Sequence, residues 1–66
     1  MSVVKVIEVL SESDKSWEDA AAVALEKATK SVHGIKSLYI QDFEAKVENG
    51  KIAKYRINAK ISFVLD

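Results

Sequence analysis

The sequence contains no cysteine and no proline, and among its 66 residues there are only two glycines and one histidine. Without cysteine there is no disulfide. With His33 as the lone imidazole there is no Cys/His zinc site either. Charge of one sign is also missing. Ten Lys and Arg balance ten Asp and Glu, the formal net charge is zero and the sequence pI is near 6.6. That balance lacks the basic footprint of a nucleic-acid-binding protein. Long apolar runs are absent as well. The longest is Ala20 to Leu25, six residues, whereas a membrane span needs about 20. The start, Met1-Ser2-Val3-Val4-Lys5, has no basic region leading into an apolar stretch and a small-residue cleavage site. No signal peptide is therefore expected, and the reading is a soluble cytoplasmic protein.

What is present in quantity is apolar: 48% of the residues are hydrophobic. The length allows one domain, residues 1–66. A domain of this size buries only roughly 60% of the surface of its unfolded chain. Small folds gain the rest from disulfides, a metal or oligomerisation. Here oligomerisation is the expected route.

Val3 to Leu10 is rich in β-branched residues and reads as a strand. Its two alternating faces are both mostly apolar, the mark of a strand covered on both sides, with the second cover supplied by another subunit. Ser11 to Lys15 is polar and reads as a loop. Ser16 then has the chemistry of a helix N-cap, with Asp19 at the return position of a capping box. A helix is expected from Trp17 to Val32. Trp17, Ala20, Ala21, Ala24, Leu25, Ala28 and Val32 form its apolar stripe, and Glu18, Asp19, Glu26, Lys27 and Lys30 its solvent face. The alanines let it lie close to a sheet. His33 and Gly34 suit its C-terminal end.

Ile35 to Val47 is a second extended segment. Leu38 and Ile40 are apolar at even positions, Phe43, Ala45 and Val47 at odd ones. The change of parity at Gln41-Asp42 implies a bulge or sharp bend. Asn49-Gly50 is a two-residue hairpin signal. In the last strand Ala53, Tyr55, Ile57, Ala59, Ile61, Phe63 and Leu65 share one face, and Lys54, Arg56, Asn58, Lys60 and Ser62 the other. The order is βαββ with a right-handed crossover. The expected fold is α+β: a three-stranded antiparallel sheet, strand order 1-3-2, packed on one helix.

No nucleophile–base pair is apparent, and the loop before the helix has no glycine with which to cradle a phosphate. An enzyme is not expected. Ser11, Ser13 and Ser16 suit loop and capping roles, and Trp17 a core or interface anchor. Tyr39, opposed in parity to its neighbours Leu38 and Ile40, is a candidate for the interface. Oxygen ligands alone can hold Ca²⁺ or Mg²⁺. Of the carboxylates, Glu12, Asp14, Glu44 and Glu48 read as a solvated face unless copies converge on a symmetry axis. Asp42 at the bulge is the one that a strand could re-aim.

Several segments together resemble the dodecins over essentially the whole chain. They are Val4-Lys5-Val6-Ile7-Glu8, the helix start Ser16-Trp17-Glu18-Asp19-Ala20-Ala21, and Tyr55-Arg56-Ile57 followed by Ser62-Phe63. The resemblance implies a subunit of a hollow homododecamer, helices outward and sheets inward. Its implied role is non-enzymatic binding and storage of flavin (riboflavin or FMN) at subunit interfaces. In flavin-binding members a tryptophan on the second strand stacks on the ring, and a glutamine after the tyrosine of the third strand hydrogen-bonds the ring edge. The matching positions here are Ser37 and Arg56. Trp17 matches a helix position that other dodecins also fill with Trp. Serine has no aromatic face, and loss of base-type stacking costs on the order of 1–3 kcal/mol per ring. Arg56 keeps the capacity to stack or to pair with a phosphate. The run Tyr55-Arg56-Ile57 without an aromatic at position 37 resembles the calcium-binding branch of the family, and the alternative role is therefore a divalent-cation-binding or purely structural shell. Asp42 matches an acidic position near the flavin site and is the expected polar or cation contact. The implied partners are copies of the chain itself and a small-molecule ligand or cation, with no nucleic acid and no membrane.

Overall fold

A computed structural model describes residues 2–65. Along them run β1 (Val3–Ser13), α1 (Trp17–Ala28), β2 (Ile35–Glu48) and β3 (Lys51–Leu65). The strands form one sheet in the order β1-β3-β2, with both outer strands antiparallel to β3. The α+β class, the βαββ order and the strand order 1-3-2 are those the sequence predicts.

The strict alternation of β3 explains its central place. Ile57, Ala59 and Ile61 turn to the helix and are fully buried, as is Ala20 on α1. Val9, Leu38, Ile40, Trp17 and Ala21 pack around this core. Alanine on both sides of the contact removes the bulk that would hold helix and sheet apart. Full burial of each isoleucine contributes roughly 1.5–3 kcal/mol.

The first strand runs to Ser13, three residues past Leu10, where a loop was expected. The physical reason lies at the helix start. The Ser11 hydroxyl donates to the Ala20 carbonyl at 2.8 Å, and the Ser13 hydroxyl donates to the Asp19 carboxylate at 2.6 Å. Both serines face the helix and are satisfied there, so polarity does not end the strand. Ser16 caps α1 as expected, its Oγ accepting from the Asp19 N–H at 2.9 Å. Asp19 does not reach back to Ser16 and is not on a solvent face; it holds Ser13. The Ser13 Oγ in turn accepts from the Lys15 N–H at 2.9 Å.

The helix ends at Ala28 rather than Val32. After Thr29 the hydrogen bonds tighten: Lys30 N–H donates to the Lys27 carbonyl at 3.3 Å and Ser31 N–H to the Ala28 carbonyl at 3.1 Å. Such shorter-range turns are common at helix ends. The β-branched Thr29 and Val32 disfavour continuation. His33 is exposed beyond this turn. Gly34 has φ +73°, and its carbonyl accepts from the Val64 N–H at 3.1 Å.

The change of parity in β2 is a register shift between Ile40 and Asp42, with further shifts between Ile35 and Ser37 and between Lys46 and Val47. Asn49 and Gly50 have φ of 53° and 75°, the doubly left-handed turn that matches the twist of a two-residue hairpin.

A Cβ at position 34 would sit 3.3 Å from the Val64 carbonyl oxygen on a left-handed backbone. Gly34→Ala is therefore expected to lower stability by about 1–2 kcal/mol. Urea unfolding measures it, and an unchanged midpoint would contradict this placement of the β2 start.

Candidate functional site on the open face of the sheet

The face of the sheet turned away from α1 is bare within one chain. Cross-strand register arranges it in four rungs. These are Val6–Ser62–Ser37, Glu8–Lys60–Tyr39, Leu10–Asn58–Asp42 and Glu12–Arg56–Glu44. The bulge at Gln41 places both Tyr39 and Asp42 here, while Ile40 and Phe43 stay on the helix side. Val6, Leu10 and Tyr39 are 54%, 70% and 63% exposed. The second apolar face read in the first strand is thus present, and within one chain nothing covers it.

Arg56 is the electrostatic centre. Its Nε and Nη2 donate to Glu12 Oε2 at 3.0 and 2.7 Å, and its Nη1 donates to Glu44 Oε1 at 3.3 Å. One guanidinium on the central strand is held by a carboxylate from each outer strand. The hydrogen bond from Arg56 holds the Glu12 carboxyl below its ordinary value. The carboxylate of Glu12 in turn raises the guanidinium. Lys46 and Lys54, close by at the hairpin, depress Glu12 further. Three of the five N–H donors of Arg56 are engaged with protein carboxylates, which fixes the plane of the guanidinium.

The Ser37 hydroxyl pairs with that of Ser62. Ser37 lies three rungs from Arg56, and Asp42 is one rung away from it. Asp42 stands opposite Asn58, whose Oδ1 is buried without a hydrogen-bond partner among the described residues. Buried acceptors are nearly always satisfied, so this atom marks a place where a donor or cation belongs. Among the described residues no group of three or more His, Cys, Asp or Glu could hold a metal.

Trp17 ties the two faces together. Its indole lies edge-on to Tyr55 and Phe43, with ring centroids 4.9 and 5.9 Å away. Its Nε1–H donates to the Glu44 carbonyl at 2.9 Å. The helix start thereby fixes the backbone of the residue whose side chain holds Arg56 on the other face.

Glu12 and Glu44 as partners of Arg56, and Asn58 as an orphaned acceptor, were not foreseen. The parity of β3 already put Arg56 and Asn58 on one face. The missing signal was the length of β1, which had to reach Glu12 for the row to form.

The family model described as Dodecin matches residues 3–66. A curated relative from Mycobacterium tuberculosis named calcium dodecin is 38% identical over 63 residues, covering 96% of this chain and 89% of the relative. A crystal structure from the same organism resembles this chain with TM-score 0.84 and 39% identity, covering 98% of this chain and 93% of that one. It is described as a calcium-chelating immunodominant antigen, calcium dodecin, with a novel calcium-binding site. A variant of Thermus thermophilus dodecin shares the fold with TM-score 0.94 at 20% identity, covering 100% of this chain and 98% of that one.

The lowered Glu12 value fixes a sign. The Glu12–Arg56 pair stabilises the fold above the ordinary carboxylate range, and that contribution is lost as pH falls through the depressed value. The effect is small, because both side chains are more than a third exposed. Wild type is expected to lose more thermal stability than Glu12→Gln between about pH 5 and about pH 3. Equal losses, followed by circular dichroism, would contradict the pairing.

Proposed function

The chain belongs to the dodecin family, and from that premise we propose a non-enzymatic binding protein. It assembles as a hollow homododecamer and holds a divalent cation, calcium, in preference to a flavin. The observation that carries the preference is the state of the two positions matching the family's flavin contacts. Ser37 offers a hydroxyl already paired with Ser62, and Arg56 offers a guanidinium already paired with Glu12 and Glu44. Neither supplies an aromatic plane, and two carboxylates fix the orientation of the guanidinium, so the stacking that holds an isoalloxazine ring is missing.

Calcium takes oxygen ligands in flexible geometry. Asp42 and Asn58 offer a carboxylate and an unpartnered amide oxygen on one rung, and we assign them to the cation. Among the described residues no three carboxylates gather to complete such a site, so copies complete it where they meet. The likeness to calcium dodecin supports the same reading. Bound calcium would give the unpartnered Asn58 oxygen a positive partner.

Assembly is supported by the open face. Val4, Val6, Leu10 and Tyr39 are all more than half exposed, and burying them between copies gives a small domain the apolar area that it lacks. The four rungs carry the carboxylates of Glu8, Glu12, Asp42 and Glu44 against the cations of Lys60 and Arg56, and a bound divalent cation would offset that negative excess as copies approach. We place the protein in the cytoplasm; the cysteine-free composition accords with a reducing compartment.

Calorimetry with calcium chloride tests the ligand. Wild type is expected to give a saturable heat, and Asp42→Asn to weaken binding by about tenfold, equivalent to about 1.4 kcal/mol. Riboflavin or FMN fluorescence is expected to stay unquenched at micromolar protein. Ser37→Trp combined with Arg56→Gln is expected to bring quenching in. Strong quenching by wild type with no calcium heat would overturn the preference.

A further inference from the structure

The β2–β3 hairpin outruns everything that could cover it. β1 ends at Ser13, opposite Tyr55, and α1 begins at Trp17, whose indole reaches Tyr55, Phe43 and the Glu44 carbonyl. From Lys46 and Lys54 to the turn, the chain is a two-stranded ribbon with neither a third strand nor a helix over it. Such ribbons are marginal in water. This one nevertheless carries Val47 and Ile52 opposite each other, 61% and 49% exposed.

The other end of β2 has the complementary shape. The helix stops at Ala28, and between its last turn and the start of β2 lies a groove of about 390 Å³. Its walls are Leu25, Thr29, Ile35, Lys36, Ser37 and Leu38. The molecule is 51 Å long, and the stiff strand β2 separates tip from groove, so the two cannot meet within one chain.

We propose that the hairpin tip of one copy docks in this groove of the next, head to tail. The inference rests on the self-assembling reading above and specifies its contact. The tip brings an aliphatic pair to the aliphatic part of the groove, Leu25, Ile35 and Leu38. Glu48, next to the turn, brings a carboxylate to the side where Lys36 carries an ammonium. Each copy supplies one tip and one groove, so a second copy matches the surface in number as well as in chemistry. A heterologous contact of this kind closes into a ring when the rotation permits, leaving no bare tip.

The absence of cysteine makes the test clean. Val47→Cys and Leu25→Cys are prepared separately, refolded together and oxidised with copper phenanthroline. A disulfide-linked pair of Val47→Cys with Leu25→Cys is expected, and neither variant alone should cross-link. Lys36→Glu is expected to lower the assembled fraction, and adding Glu48→Lys to restore it. Assemblies of normal size with no mixed cross-link, or with Val47→Cys linked to itself, would overturn the head-to-tail contact and leave the assembly reading standing. A chain that stays monomeric would overturn both.

Discussion

One short helix cannot cover a long sheet. The 12-residue helix α1 is about 18 Å long, while the 15-residue strand β3 spans about 50 Å. The helix therefore shields one face of the sheet, and only the part of it near Ile57, Ala59 and Ile61. The opposite face and the hairpin ribbon stay bare. A chain without cysteine has no disulfide with which to offset that exposure. The apolar residues left outside call for cover from other copies, and both the proposed shell and the proposed ligand site rest on that.

The bare face is built to be covered without being sticky in the wrong way. Its apolar members are separated by charged rungs, Glu8–Lys60 and Glu12–Arg56–Glu44. Arg56 is the member on which the others converge, held from both outer strands and backed by Trp17 through the Glu44 backbone. The proposed preference for a cation over a flavin rests on this arrangement. A guanidinium oriented by two carboxylates and a serine paired with a serine give a flavin ring no aromatic plane on which to stack. What stays unsatisfied among the described residues is an amide oxygen at Asn58 opposite the bulge carboxylate Asp42, and that is where the cation is proposed.

Much of the fold was legible because each strand and turn announces itself locally. The alternation of β3, the parity change at Gln41-Asp42 and the Asn49-Gly50 turn rest on the period of a strand and on φ sterics, and each is present in the structure. The element ends were less legible, because tertiary partners decide them. Ser11 and Ser13 look like loop residues until Ala20 and Asp19 take their hydroxyls. Val32 fits the helical stripe, yet the turn after Thr29 tightens before it. The site was legible in part: Ser37, Arg56 and Asp42 all fall on the open face. Their surroundings were not, since Glu12 meets Arg56 only when β1 is long enough, and Asn58 shows its orphaned oxygen only in three dimensions.

The central claim is that copies of the chain, rather than the chain itself, complete the fold. Light scattering on the protein at micromolar concentration, without added ligand, addresses it directly. The account predicts a single species of about 88 kDa, twelve times the 7.3 kDa chain. A stable, folded species of 7.3 kDa would contradict it.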